Sequence, residues 1–595
     1  MTTRLKQPLI QHTRSLAAAA LAILLACAPP ARLYGDEAPP AASPAPPPAT
    51  PTPAAPTPAA PIPAAPQPSA AVQPALPLHE LIDQQIGAAL AAKGMAPAAL
   101  ADDAEFLRRI YLDLTGTIPT LGETKGFLDD KSPLKRQQLV DRLLNSAEYA
   151  RQMQRVFDVV LMERRPANRI PQPQWEEYLR TSFAANKPWD ALVREILAAD
   201  GADPNLRPAA RFYLDREAEP NLLTRDVGRL MLGRDMQCAQ CHDHPLVDHY
   251  LQADYYGLMA FFNRSFIFTP KDKNQPPVIA EKAEGDVVFK SVFVEGATDQ
   301  PAKPHMPGEK ELEEPQFEKG QEYAVAPADG VRPVPKYSRR SQLAGLLARA
   351  ENVSFRRNIA NRLWALMMGR GLFNPLDMDH PSNPPSHPEL LNQLADRFAA
   401  MKFDVKAFLR QLALSQTYQR SSELPPGVES LPADAFAVAR LKPLSAEQLA
   451  LAALQATGMT DIYRASLGPS LNEQTLYNKL AGNLGPFVAI FAGQSGQPEQ
   501  DFQATLEQIL FVSNGGVVRS WISPQAGNLA DRLGRIAEPP AVAEEMYLCT
   551  LVRRPAAEEV AELTAFLQAR AQDRPAALQE WIWGLLASDE FRFNH

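Results

Sequence analysis

The stretch "MQCAQCHDHPLVDHY", residues 236–250, gathers two of the chain's four cysteines and three of its nine histidines. It contains C-x-x-C-H. Residues three apart on a helical turn lie on one side. Cys238 and Cys241 could then add to the two vinyl groups along one haem edge, and His242 could reach iron as the proximal ligand. Met231, Met259, His244 and His249 are the candidates for a sixth ligand. Met231 and Met259 stand in apolar helical surroundings, "VGRLMLG" and "YYGLMAFF", which equally suit core packing. The same run supports a second chemistry. Cys238, Cys241, His242 and His244 or His249 supply up to four soft or borderline ligands for zinc or copper. Asp243, Asp248 or Asp254 would orient the imidazoles from behind. A third reading is a disulfide between Cys238 and Cys241 with no cofactor.

Which chemistry applies depends on the compartment. Arg4, Lys6 and Arg14 give the chain a basic start, and the apolar run "LAAAALAILLA" follows from Leu16 to Ala26. It is short for a transmembrane helix and has the layout of a signal segment. It ends in "LLAC", so residues 1–27 read as an export segment of lipoprotein type, with Cys27 as the lipidated residue. A non-lipidated cut near Ala26 is the alternative. Either way the chain is expected in the bacterial periplasm or cell envelope, touching the membrane only through a lipid on Cys27. Export leaves only Cys238, Cys241 and Cys549 for the folded part. That is too few for a disulfide scaffold. An exported C-x-x-C would tend to close on itself unless a metal or haem held it.

The elements that must position these residues follow. Residues 28–78 are dominated by Ala, Pro and Thr and cannot bury a core. Extended polyproline II at roughly 3 Å per residue would give a stalk on the order of 100 Å. From His79 the texture is helical. "HELIDQQIGAALAAKG", "DAEFLRRIYLDLTG" and "KRQQLVDRLLNSAEYARQMQRVFDVVLMER" carry apolar residues at helical spacing. "QWEEYLRTSFAANKPWDALVREILAADG" reads as two helices joined at Asn186-Lys187-Pro188. Residues 264–337 change texture, and "DVVFKSVFVEG" reads as a strand. This predicts a small β-containing insertion or long loop between a helical domain at 79–263 and a helical companion at 338–595. The fold class is therefore mainly α, with two helical lobes and a disordered stalk before them.

Two further features stand out. "YLDLTGTIP" (111–119) and "YLCTLVRRP" (547–555) place Tyr eight residues before Pro, with Glu123 and Glu559 four after it. "LLNSAEYA" and "LLASDEFR" echo each other downstream. These suggest one helix-pair element used at both ends of the chain. "LDMDHPSNPPSHPELL" (376–391) holds Asp377, Asp379, His380 and His387. A cation could bind there, but Ser386 and Glu389 fit a capping box, and a helix start is the preferred reading. The net charge of −8 and the lack of a basic stripe argue against nucleic acid as a partner. There is no G-x-S-x-G, H-E-x-x-H or P-loop.

The motifs together resemble a known pair of domains. "DAEFLRRIYLDLTGTIPT", "LLNSAEYA" and "LGRDMQCAQCHDHPLVDHYLQADYYGLMAFF" resemble the planctomycete cytochrome-like family, domain of unknown function 1549. "NRLWALMMGRGLFNPLDMDHPSNPPSHPELLNQLADRF", "FDVKAFLRQLALSQTYQRSS" and "LKPLSAEQLALAALQATG" resemble its companion, domain of unknown function 1553. The resemblance covers most of the chain from about residue 80. It implies an exported protein of no established activity. It carries over Cys238, Cys241, His242, His244 and Pro245 as the motif residues. Larger relatives carry a further haem-binding module where this chain has its Ala/Pro-rich segment, so one C-x-x-C-H remains and a multi-haem wire is not expected.

The expectation is thus one c-type haem, held by Cys238, Cys241 and His242, serving electron transfer or another redox role with a partner protein. A mononuclear Cys/His zinc or copper site, with His242, His244 and His249, is one alternative. A non-enzymatic cell-surface scaffold with a structural disulfide is the other. Substrate, redox partner and oligomeric state are not legible.

Overall fold

In the computed structural model, which describes residues 76–244, 247–248, 250–292, 296–497 and 504–595, the chain is built mainly of helices. The export segment with Cys27 and the Ala/Pro-rich run up to residue 75 lie outside the described residues, as do Pro245 and His249.

The helices form where the apolar spacing requires them. Leu78–Ala92 buries Leu78, Ile82, Ile86 and Leu90, one residue per turn on one face. Asp103–Thr115 starts where the Asp102 side chain accepts from the Glu105 amide. It stops at Gly116, whose φ of 72° suits a residue without Cβ. The stretch 135–162 is two helices, Lys135–Leu144 and Ala147–Met162. Ser146 divides them, because its hydroxyl accepts from the Tyr149 amide at 3.1 Å and caps a new helix. Gln172–Ala184 and Trp189–Ala198 flank Asn186-Lys187-Pro188 as expected.

The strands are short and local. Ser265–Phe268 pairs with Val278–Glu281, Val287–Phe289 with Gln300–Ala302, and Tyr323–Val325 with Val334–Pro335, all antiparallel. All six lie within 264–337. A further pair, Lys442–Pro443 with Phe593–Asn594, joins distant parts of the chain.

Both helical halves feed one apolar core that runs from Leu78 to Phe591. A buried polar knot fastens them. Asp113 Oδ1 accepts from Lys442 Nζ at 2.5 Å and from Asn594 Nδ2 at 2.7 Å, and Tyr418 Oη donates to Asp113 Oδ2 at 2.8 Å. Burial lowers the Lys442 pKa, and the Asp113 carboxylate opposes that shift. Arg108 crosses the same seam, donating to the carbonyls of Thr550 and Phe591 at 3.3 and 2.8 Å.

The sequence echo is a structural one. Arg142 lies over the Tyr111 ring and pairs with Glu123; Arg553 lies over the Tyr547 ring and pairs with Glu559. Ser146 and Ser588 cap the equivalent following helices. The capping box expected at Ser386 and Glu389 is not formed. His387 is the N-cap residue and gives no side-chain cap, Pro388 opens the helix Pro388–Ala400, and Glu389 accepts from Gln393 instead. Proline at the first position already removes one of the orphan donors that a cap would serve. Among the described residues no helix is long and apolar enough to cross a membrane.

Candidate functional site

The helix Pro220–Leu232 delivers the chain to the cysteine turn. Its end at Gly233 has φ 68°, and a Cβ there would lie 3.0 Å from Asn358 Oδ1. The absence of a side chain lets the helix Val353–Met368 approach closely. The Asp235 amide donates to the Asp377 carbonyl at 2.8 Å, and the Asp379 amide to the Gly233 carbonyl at 2.9 Å. The loop that holds Asp377, Asp379 and His380 is thereby strapped to the base of the cysteine motif.

The motif itself is a 3₁₀ turn, Gln237–Gln240, with Cys241 closing it. Side chains at i and i+3 eclipse in this geometry, so Cys238 and Cys241 stand on the same side. The Cys238 carbonyl accepts from the amides of Cys241 and His242 at 3.2 and 3.4 Å. Ala239 is buried with Met236 and Tyr255, which anchors the opposite side of the turn. Both cysteines are exposed and their sulfurs are not joined. His242 Nδ1 lies 2.6 Å from the Asp243 carbonyl. A carbonyl only accepts, so Nδ1 carries the proton, and the lone pair of the neutral ring is on Nε2.

The helix Gln252–Met259 backs the turn. Gln252 Nε2 donates to the carbonyls of Cys241, Gln240 and Lys290 at 3.1, 3.4 and 3.3 Å. Tyr256 Oη donates to the Gln240 carbonyl at 3.0 Å. The motif returns the favour, since Asp243 Oδ1 accepts from the Gln252 amide at 2.8 Å and caps the helix start. Of the three carboxylate residues expected to orient the histidines, Asp243 is beside His242 and meets it through its backbone carbonyl. Asp254 faces His305 instead, and Asp248 is exposed.

His244 packs against Tyr250. Its amide donates to the Tyr250 carbonyl at 2.9 Å, and its ring meets the buried Tyr250 ring edge-on at 5.8 Å. On its other neighbour, Tyr250 meets His380 at 6.0 Å, and its hydroxyl donates to the Asp379 carbonyl at 3.3 Å. Arg357 holds the Asp379 carboxylate with two bonds of 2.9 and 2.8 Å. Burial, with a smaller contribution from nearby His244, holds the His380 ring below the usual histidine range. Residues 376–380, read from sequence as a helix entry, are thus a wall of the site. The only sequence signal was the clustering of Asp and His in a proline-rich loop.

The metal alternative finds no support in the described residues, where no group of three or more His, Cys, Asp or Glu is placed to hold an ion. His249, one of the two candidates for the fourth ligand, lies outside them. Met231 is a buried member of the main core, and Met259 packs between two small apolar clusters behind the turn. His387 packs on Phe436 at 5.8 Å.

Beside the turn opens a cleft of about 510 Å³. Asp243, Leu251, Gln252 and Ala253 form one wall, and Phe289, Ser291, Gly296 to Thr298 and Gln300 the other. Phe289 stacks nearly parallel on Tyr256, with ring centres 4.8 Å apart. The residues present fit a covalently attached haem. Two free thiols share one side of an exposed turn, an imidazole with a fixed tautomer follows, and the adjacent cleft has aromatic and aliphatic lining.

The sequence matches the family described as "Protein of unknown function (DUF1549)" over residues 81–266, which includes the cysteine turn. It matches "Protein of unknown function (DUF1553)" over residues 339–567, which includes the Asp377–His380 loop. No curated protein and no solved structure matches it. The chain belongs to the family of proteins that join a DUF1549 domain to a DUF1553 domain.

Proposed function

We propose that the protein is an exported envelope protein that carries one covalently attached haem for electron transfer or a related redox role. The observation that carries this reading is the turn at 237–241, where both thiols are free, exposed and eclipsed, with His242 directly after them. Each thiol would add across one vinyl group. Cys238 and Cys241 would hold the haem as thioethers, each sulfur on one vinyl carbon and its proton passing to the other. His242 would supply an imidazole ligand, with its ring set by the Asp243 carbonyl. The bound group would supply a one-electron couple. Gln252 and Tyr256 hold the backbone that fixes the anchor points, and the cleft opens beside them. The exposed position of the turn suits electron exchange with a partner protein that docks on this face. A lipid on Cys27 would tether the body to the membrane.

The test is expression of the full chain in a host that matures c-type cytochromes, followed by denaturation and a pyridine haemochrome spectrum. The expected result is a haem band that stays with the polypeptide. A colourless polypeptide from a host that matures a control cytochrome would overturn the reading.

A further inference from the structure

His305 sits between the helix Gln252–Met259 and the segment that follows the strand Gln300–Ala302. Its backbone amide donates to the Gly257 carbonyl at 3.2 Å. Its ring fills the space left by Gly257, where an added Cβ would lie 2.1 Å from His305 Cε1. Ring Nδ1 is 2.9 Å from the Lys303 carbonyl, and Nε2 is 3.3 Å from Asp254 Oδ1. Both neighbours are acceptors. A neutral imidazole has one N–H and can serve only one of them, whereas the imidazolium serves both. The side chains of His305 and Asp254 are only 11% and 10% exposed, so water cannot readily replace the lost bond. Asp254 Oδ1 also accepts from the Gly308 amide at 3.0 Å, which extends the contact along the segment.

The contact bears on the cleft. Gln252 and Ala253 line one wall from the helix, and Gln300 lines the other from the strand that runs into His305. We propose that His305 is a proton-operated latch, holding the 300–308 segment against the Gln252–Met259 helix as the imidazolium and loosening that wall of the cleft when the proton leaves. The charges that face it are few. Asp254 comes from the helix. On its own segment Lys303 pairs with Glu311 at 3.7 Å, and Glu309 is tied to Arg349 at 3.0 Å. The hydrogen bond to Asp254 raises the His305 pKa above 6.5, more than burial lowers it. The latch therefore contributes fully below the ordinary imidazole value of about 6.5 and is lost as pH rises through the higher folded value.

The latch is independent of whatever occupies the cleft. It is tested on the full chain by amide hydrogen exchange of the 300–312 segment at about pH 6 and about pH 9, corrected for intrinsic rates. Protection is expected to fall about tenfold or more at the higher pH, while the helix Asp103–Thr115 stays protected. In Asp254→Asn the segment is expected to be weakly protected at both values. Equal protection at both pH values in the unaltered protein would overturn the proposal, as would a wild-type pH response in Asp254→Asn. The proton NMR titration of the His305 ring needs no variant. A midpoint above about 6.5 supports the latch, and one at or below it refutes it.

Discussion

The side-chain amide of Gln252 reaches the carbonyl of Cys241 at 3.1 Å, and the same nitrogen serves the carbonyls of Gln240 and Lys290. One buried amide thus ties the end of the cysteine turn to the helix behind it and to the β-containing insertion. Gln252 is the keystone of the site although it carries none of its chemistry.

Gln252→Ala is expected to cost about 1–3 kcal/mol, because three acceptors lose one donor in a largely buried setting. Denaturant unfolding checks the size. Thiol labelling of Cys238 and Cys241 checks the place, and faster modification than in the parent protein is the expected sign of a loosened turn. Unchanged stability and unchanged labelling would show that the turn holds itself.

The Asp113–Lys442 pair makes a sharper energetic claim. Asp113→Ala leaves a buried ammonium without its carboxylate and strips the partner from Tyr418 and Asn594. A loss of about 3–5 kcal/mol is expected. Asp113→Leu combined with Lys442→Met is expected to recover part of it, since neither charge is then stranded. A double variant less stable than Asp113→Ala would refute the assignment of this pair as a buried ionic tie.

Acid sensitivity has a named contributor in His595. Burial, then the guanidiniums of Arg108 and Arg109, lower its pKa to about 3. The folded state favours the neutral ring, while the unfolded chain takes up its proton near 6.5. His595 therefore contributes no penalty above about pH 6.5, and stability falls as pH drops from there toward 3. The expected slope is up to about 1.4 kcal/mol per pH unit. The difference in melting temperature between the parent and His595→Phe is expected to shift in the variant's favour as pH falls below about 6.5, as the variant lacks this loss. Parallel pH profiles would exclude the role.

The helices were legible because burial follows a simple spacing. Leu78, Ile82, Ile86 and Leu90 announce their helix in the sequence, and the repeated Tyr, Pro and Glu pattern announced two equivalent corners that the structure bears out in Tyr111 and Tyr547. The break at Ser146 was hidden, since a cap inside a continuous apolar pattern changes no periodicity. The site was legible only in its local part. Cys238, Cys241 and His242 are neighbours in sequence and on one turn. His380 and Asp379 reach the site through bonds from Gly233 and Asp235 more than 140 residues away, and periodicity says nothing about such pairings. Ser386 and Glu389 had the right spacing for a cap, but Pro388 between them set a different start.

The decisive measurement is the intact mass of the purified, denatured chain after expression with c-type maturation. The expected result is an increment equal to one haem, absent when Cys238 and Cys241 are both changed to Ser and the fold persists by circular dichroism. An unmodified mass in the parent protein, with both thiols still open to alkylation, would contradict the assignment of residues 237–242 as a covalent haem anchor.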